Sequence, residues 1–341
     1  MKKLAIAALA AALALPAVPA MAASPELIAA AQAEGRVVYY TTGIVNQTVR
    51  PLAEAFEAKY GVVVEYVPLL GTEMVLRLTN EARAGSPLAD LWDSSAVFAP
   101  LRDAGLLEPY TPESASVYPS EMLSPDELWV PFALQFPTTA VNTDLVAPED
   151  YPTTFEDLLD PKWTGKMAWT ASPGANGPVG FIGNVLITMG EEEGMAYLEK
   201  LAAQDIANIA ANQRVVLDQA IAGEYPLVLQ IHLHHASISI AQGAPIKVTH
   251  LPTIVGNLSP VGLVKNGPHP NAARLLLDFL ISDEGQQIYV NSGYIPTRPG
   301  VTPADPSLVP ASGEFTPNYF DLDFYAENEP KWTKIYEDLF Q

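Results

Sequence analysis

After residue 23, apolar residues occur either in short continuous runs or three to four positions apart. These two patterns predict alternating strands and helices. Short apolar runs in the first third predict three strands: Val37–Tyr40, Val62–Val67 and Ala89–Trp92. Apolar residues three or four positions apart predict the neighbouring helices: Pro25–Glu34, 49–60, 72–82 and Val97–Ala104. This alternation predicts a largely parallel sheet with helices on both faces. Ligands of such sheets bind beyond the carboxyl ends of the strands, beside helix N-termini.

The pattern changes over residues 129–142, an extended apolar segment that is interrupted by Pro131 and Pro137. We interpret it as a crossover from a first lobe to a second. The elements predicted beyond it are strands Met167–Trp169 and Pro226–Ile231 and helices Val179–Met189 and Gln213–Ala222. Lys247–Leu251 is then predicted to cross back to the first lobe, which helices over 271–281 and 284–290 complete.

The N-terminus has the pattern of a secretory signal peptide. Met1–Lys3 is cationic, Leu4–Pro19 is apolar, and small residues at 20 and 22 form a cleavage site before Ala23. The alternative is a membrane anchor, but the apolar run is short for a span and no stop-transfer pattern follows it. We therefore predict a protein exported to the periplasm.

Composition excludes several kinds of chemistry. The chain has no cysteine, which rules out disulfides, thiol nucleophiles and cysteine-ligated metals. The net charge of −21 becomes −23 once Lys2 and Lys3 are removed with the leader. This charge argues against nucleic acid or an anionic membrane surface as a partner, because both are polyanions.

Hydroxyl, amide and glycine residues collect at the predicted strand ends and at the crossover, where they suit an oxygen-rich ligand. The first-lobe candidates are Thr41, Thr42, Gly43, Thr72, Ser94 and Ser95. The second-lobe candidates are Ser172, Asn176 and Gly177, and Gln135 is a candidate in the crossover.

Three of the five histidines lie close together, at His232, His234 and His235. If the preceding strand continues, the first two side chains share one side and His235 takes the other. Such imidazoles can bind a transition metal or hydrogen-bond an anionic ligand. A metal-dependent hydrolase is a further alternative, but the chain has no HExxH or GxSxG motif, so we expect a protein that is not an enzyme.

Six short stretches occur in an order that resembles a known family: Val37–Thr41, Pro51–Gly61, Ala89–Trp92, 155–166, Ala222–Glu224 and Gly293–Pro299. The chain resembles the periplasmic solute-binding proteins of ABC importers, in the group that includes ferric-iron, thiamine, phosphonate and sugar-phosphate receptors. This resemblance implies an α/β, two-lobed fold of type 2, with a mostly parallel sheet in each lobe and two hinge crossovers. It implies lobe 1 over 23–134 and 250–300, lobe 2 over 135–249, and a C-terminal segment over 301–341 that packs across both.

The resemblance also implies a function in which the lobes close on a small solute and deliver it to a membrane permease and its ATPase, with the binding protein acting as a monomer without a cofactor. We favour an organic anion, such as a phosphonate, sugar phosphate or carboxylate. In the alternative, iron or a divalent metal binds His234 and His235, where the family's iron receptors have a tyrosine pair. Imidazoles suit softer ions than ferric iron. Histidines that contact the solute should make its affinity vary between about pH 5 and 8.

Overall fold

The computed structural model describes residues 23–303 and 305–341, so the predicted signal peptide lies outside the described residues. The strands are β1 (Arg36–Thr41), β2 (Val63–Pro68), β3 (Leu91–Asp93), β4 (Leu107–Glu108), β5 (Val130–Gln135), β6 (Pro137–Asn142), β7 (Met167–Thr170), β8 (Ala207–Ile209), β9 (Leu227–His232), β10 (Ile246–Thr249), β11 (Thr253–Val264), β12 (Ile295–Pro296) and β13 (Thr316–Phe320). The α-helices are α1 (Pro25–Glu34), α2 (Arg50–Tyr60), α3 (Gly71–Arg83), α4 (Ser95–Asp103), α5 (Pro178–Met189), α6 (Glu191–Ala202), α7 (Gln213–Ile221), α8 (Leu233–Ala241), α9 (Pro270–Leu280), α10 (Asp283–Asn291) and α11 (Leu322–Phe340). Within the described residues, none of these helices is long and apolar enough to cross a membrane.

Local signals explain where the first helices begin and end. Gly35 and Gly61 follow α1 and α2 in the left-handed region, at φ of 75° and 70°, which glycine adopts without steric cost. Pro51 lies in the first turn of α2, as predicted, where its missing N–H breaks no helical hydrogen bond. A π-helical turn over Val45–Val49 leads directly into α2.

The first sheet has the strand order β12-β5-β11-β3-β1-β2, and β4 and β13 pair with β11. Strands β1, β2 and β3 are parallel, which confirms the arrangement predicted for the first third of the chain. Strand β11 runs antiparallel to β3 and β5, so the sheet is mixed. Helices α1, α2 and α9 pack against it, with Phe56 and Phe279 ring centroids 5.6 Å apart in their core.

The second sheet has the order β10-β6-β9-β7-β8. Strand β7 is parallel to β8 and β9, whereas β6 is antiparallel to β9 and β10. Its core contains the buried rings of Trp169 and Phe181, whose centroids are 6.0 Å apart. The α/β fold class with two sheets is therefore confirmed.

The chain passes twice between the sheets. Strand β5 belongs to the first sheet and β6 to the second, and only the buried Phe136 separates them. Strand β10 belongs to the second sheet and β11 to the first, with residues 250–252 between them. The first passage falls within residues 129–142 and the second overlaps Lys247–Leu251, the two segments that the sequence marks as crossovers.

The C-terminal helix α11 contacts helices that flank both sheets. Trp332 packs against Gly183 of α5, and Lys331 pairs with Glu191 of α6 at 2.7 Å. At its other end, Asp323 pairs with Arg102 of α4. Helices α5 and α6 flank the second sheet and α4 the first, so α11 joins the two halves of the molecule.

Candidate functional site

Two adjoining cavities lie between the two sheets. The histidine cavity, about 280 Å³, is lined by His232, His234 and His235 together with residues of β1 and α10. The hydroxyl cavity, about 260 Å³, is lined by Ser94, Ser95 and the 173–177 loop. Four residues line both cavities, so the two form one continuous cleft: Thr42, Gln135, Gln213 and Ser259.

The structure brings most of the predicted residues to this cleft. The histidine cavity contains Thr41, Thr42, Gly43, Gln135, His232, His234 and His235. The hydroxyl cavity contains Thr42, Ser94, Ser95, Gln135, Asn176 and Gly177. Two predicted residues, Thr72 and Ser172, line neither cavity. Both are exposed, Thr72 in the first turn of α3 and Ser172 in the loop after β7, so proximity to a strand end does not bring them to the cleft.

Asp93, at the end of β3, organises the first-sheet wall of the histidine cavity. Its buried carboxylate accepts hydrogen bonds from the Tyr39 hydroxyl at 2.6 Å and the Thr41 hydroxyl at 2.5 Å. It also accepts from both the backbone N–H and the hydroxyl of Thr42, each at 2.8 Å. Burial raises the pKa of Asp93, and the hydrogen bonds from Thr41, Tyr39 and Thr42 oppose that shift. Four donors occupy the carboxylate, which leaves it little capacity to bind a cation.

His234 and His235 do not continue strand β9, so the alternation of sides that would follow from a continuing strand does not apply. Strand β9 ends at His232, opposite Pro137 of β6, and the N–H of Leu233 still donates to the carbonyl of Phe136 at 3.0 Å. Helix α8 begins at Leu233, so His234 and His235 lie in its first turn. The turn still gathers all three rings: their centroids are 5.2 Å apart for His232 and His234, 5.3 Å for His232 and His235, and 4.4 Å for His234 and His235.

Burial keeps these imidazoles neutral. It lowers the pKa of His232 to about 3, with a smaller contribution from His235. It lowers the pKa of His235 to about 4, where Arg214 adds to the shift and Asp218 opposes it. It also lowers the pKa of His234 well below its usual range. The buried Nδ1 atom of each ring has no hydrogen-bond partner among the described residues, so each ring has an unused polar atom.

Two tyrosines that the sequence reasoning did not propose as ligand contacts complete the histidine cavity. Tyr294 lies between α10 and β12, and its ring centroid is 4.5 Å from that of His234. Its hydroxyl donates to the side chain of Gln47 at 3.0 Å, and burial raises its pKa to about 12. Tyr289 packs beside it, with centroids 4.9 Å apart. The one signal for Tyr294 was its place within the family-like stretch 293–299.

Arg214 lines the histidine cavity, but its guanidinium is engaged by neighbours in the second half of the molecule. It donates to Asp218 at 2.5 Å and to the Ser239 hydroxyl at 2.9 Å. The ion pair with Asp218 lies within α7, and the hydrogen bond to Ser239 joins α7 to α8.

A chain of amide side chains crosses the hydroxyl cavity. The side-chain oxygen of Gln135, at the end of β5, accepts from the Asn176 amide at 2.5 Å and from the Asn257 amide at 3.4 Å. Asn257 belongs to β11, whereas Asn176 precedes α5 beside the second sheet. The side-chain oxygen of Asn176 is buried without a partner among the described residues. Gln135 therefore links the two sides of the cleft.

Four helices point their N-termini at the cleft. Helix α4 begins at Ser95 and α5 directly after Gly177, and both residues line the hydroxyl cavity. Helix α7 begins at Gln213 and α8 directly after His232, and both residues line the histidine cavity. A helix N-terminus carries a partial positive charge, so each favours an anion placed near it.

A metal centre is less well supported by the geometry. Across the described parts of the chain, no group of three or more histidine, cysteine, aspartate or glutamate side chains is arranged to hold a metal ion. Asp93 is the one acidic residue among the described residues that line the two cavities.

Comparison with known proteins places the chain in a family. Residues 51–316 match the family model of bacterial extracellular solute-binding proteins. The iron uptake protein A1 of Synechocystis is 25% identical over 307 residues, which cover 82% of this chain and 80% of that protein. A putative 2-aminoethylphosphonate-binding periplasmic protein of Salmonella typhimurium is 24% identical over 300 residues, 83% of this chain and 86% of that protein.

Solved structures share the fold. Iron-bound HitA of Pseudomonas aeruginosa aligns with a TM-score of 0.76 at 23% identity, over 90% of this chain and 99% of that one. AfuA of Actinobacillus pleuropneumoniae, with fructose-6-phosphate bound, aligns with a TM-score of 0.72 at 20% identity and the same coverage. The family match spans most of the chain, and these neighbours share its architecture of two sheets. The chain therefore belongs to the bacterial extracellular solute-binding proteins, the periplasmic binding components of ABC importers.

Proposed function

We propose that this protein captures a small organic anion, such as a phosphonate, sugar phosphate or carboxylate, in the cleft between its two sheets. The observation that carries the proposal is the convergence of four helix N-termini, those of α4, α5, α7 and α8, on the two adjoining cavities. Each N-terminus contributes roughly half a positive charge at close range. The opposing charge is a single carboxylate, that of Asp93, whose oxygens face four neutral hydrogen-bond donors.

The remaining lining residues suit the same ligand. Ser95, Asn176 and Gln213 offer hydroxyl and amide donors to anionic oxygens. The histidines enter the complex neutral and can donate through one ring nitrogen each. A bound anion favours the imidazolium form, so it raises their pKa and couples binding to proton uptake.

The binding event is closure of two lobes on the solute. We propose that lobe 1 consists of residues 23–134 and 250–300 and that lobe 2 consists of residues 135–249. Residues 301–341 then pack across both lobes. The two passages between the sheets, at Phe136 and at 250–252, are the natural hinges because few chain segments cross there. The protein is exported, acts as a monomer, and releases the solute chemically unchanged to a permease and its ATPase.

A second candidate is a receptor for iron, a divalent metal or a metal chelate. The three unpartnered Nδ1 atoms of His232, His234 and His235 favour it, since neutral imidazole nitrogens are metal ligands. Some relatives are named for iron uptake. The occupied carboxylate of Asp93 and the four helix N-termini count against a bare cation.

The deciding experiment is calorimetry on the mature chain with 2-aminoethylphosphonate, fructose-6-phosphate and citrate, each with and without EDTA, and with ferric and zinc ions. Our proposal expects EDTA-insensitive binding of at least one organic anion. Asn176→Asp places a negative charge beside the N-terminus of α5 and should weaken that binding at least tenfold. Asn266→Asp makes an equal change of charge at an exposed residue beyond the far end of β11, outside both cavities of the cleft, and should not weaken it. Binding that EDTA abolishes and Asn176→Asp does not weaken would support the metal receptor instead.

A further inference from the structure

A second and larger cavity lies on the other side of α8 from the histidine cavity. This rear cavity, about 540 Å³, is walled by α8, β10, the turn after α10 and part of the segment between β12 and β13. Helix α8 contributes His234 and His235 to the cleft, and it contributes Leu233 and Ser237 to the rear cavity. The volume is within the range of small-molecule sites.

The inner wall of the rear cavity is apolar. Leu233, Ile246, Val290 and Leu308 come from four separate segments, and each is at most 5% exposed. All four line the same cavity, and apolar lining suits an aliphatic or aromatic body. Nothing in the proposed capture of an anion in the cleft uses this surface.

The rim of the rear cavity carries one unused charge of each sign. Lys247 is exposed and has no ion-pair partner within the described ranges. Glu314 is also exposed, and its one ion-pair contact is with a ring nitrogen of His250 at 3.5 Å. Burial lowers the pKa of that imidazole, so it leaves the Glu314 charge largely uncompensated.

The third charged group at the rim is already satisfied. The Asp305 carboxylate accepts from the Ser237 hydroxyl at 2.6 Å, and from the backbone N–H and hydroxyl of Ser307 at 3.0 and 2.7 Å. These hydrogen bonds lower the pKa of Asp305 and hold it as an internal acceptor. The charges available to a ligand are therefore one ammonium, on Lys247, and one carboxylate, on Glu314.

We propose that the rear cavity binds a small zwitterion with an apolar body, the chemical class of free apolar amino acids. The ligand's ammonium group pairs with Glu314, its carboxylate pairs with Lys247, and its side chain covers Leu233 and Leu308. A ligand with a single charge leaves one of the two rim charges without a partner. The site is separate from the cleft, although Tyr294 lines both the rear cavity and the histidine cavity.

The test uses three probes that share a phenylethyl body and differ in charge: phenylalanine, phenethylamine and 3-phenylpropionate. Each is titrated into the full mature chain and followed by NMR chemical shifts. Phenylalanine should bind most tightly. Glu314→Gln should weaken phenylalanine and phenethylamine about fivefold, the upper range for an exposed ion pair, and leave phenylpropionate unchanged. Lys247→Gln should weaken phenylalanine and phenylpropionate and leave phenethylamine unchanged.

Three control variants locate the binding. Ala241→Trp fills the exposed mouth of the rear cavity and should abolish phenylalanine binding, while binding of an organic anion in the cleft persists. Thr42→Ala alters the cleft alone, and Glu327→Gln removes a remote exposed charge; neither should change phenylalanine binding. The proposal is overturned if phenylalanine does not bind saturably, if either singly charged probe binds as tightly, or if Ala241→Trp leaves phenylalanine binding intact.

Discussion

Acidification should destabilise this protein through its histidine cluster. The folded structure buries His232, His234 and His235 in their neutral forms, with the pKa lowered to about 3 for His232 and about 4 for His235. The unfolded chain protonates the same side chains near their ordinary pKa of about 6.5. Because the unfolded state binds more protons, stability that is present at pH 7 is lost as the pH falls from about 6.5 toward 4.

The size of the effect follows from the two pKa values. Between pH 7 and pH 5, the unfolded chain gains most of a proton at His235 and the folded protein gains little. The linkage relation gives a loss of about 2 kcal/mol for His235 and about 2 kcal/mol for His232. His234 adds a loss in the same direction. A total near 4 kcal/mol is a large part of the usual stability of a domain.

Urea denaturation of the mature chain at pH 7 and pH 5, in the absence of solute, measures this loss. The variant His235→Gln keeps a polar side chain that does not titrate. The pH-dependent loss should be smaller by about 2 kcal/mol in the variant. Any packing defect is present at both pH values and cancels in the comparison, as do the contributions of the carboxylates.

If His235→Gln loses as much stability between pH 7 and pH 5 as the unchanged protein, the folded state does not hold that imidazole neutral. The argument for a buried, uncharged cluster would then fail. If the variant lost more stability than the unchanged protein, the contribution of His235 to the pH dependence would have the opposite sign to the one we expect.

Three further predictions concern Asp93, the C-terminal helix α11 and the affinity for the solute. Asp93→Asn turns an amide N–H toward the hydroxyl donors of Tyr39 and Thr41, and should lower the free energy of unfolding by about 2 kcal/mol in urea melts. Gly183→Val forces a side chain against the ring of Trp332 and should cost about 1–3 kcal/mol, with a change in tryptophan fluorescence; unchanged stability would mean that α11 does not pack on α5. The calorimetric affinity for the organic anion should rise from pH 7 to pH 5, because the bound anion raises the pKa of the imidazoles; a constant affinity would show that binding does not protonate them.

The first half of the fold could be predicted because its signals are local. Apolar runs give β1, β2 and β3, and Gly35, Gly61 and Pro51 mark where the helices begin and end. The positions of the passages between sheets were also readable, since an extended apolar segment broken by prolines does not suit a helix. The antiparallel direction of β11 could not be predicted in this way, because it depends on the direction in which the chain re-enters the first sheet.

The sequence predicted which loops form the site, but it predicted few of the side-chain contacts within it. Strand β9 passes directly into α8 at Leu233, and His232 makes no side-chain capping hydrogen bond, so the residues around it carry no signal for the start of a helix. Tyr294 reaches the histidines from a segment about sixty residues further along the chain. Thr72 has the same local features as Thr42, and only the packed structure shows that one side chain lines the cleft and the other faces solvent.

Small-angle X-ray scattering of the mature chain tests the central claim most directly, that the two sheets clamp an organic anion between them. The radius of gyration should decrease when a binding anion is added in the presence of EDTA. It should stay constant in the Asn176→Asp variant and decrease normally in Asn266→Asp. An unchanged profile with every organic anion, or a contraction that appears only with a metal ion and disappears with EDTA, would contradict the account.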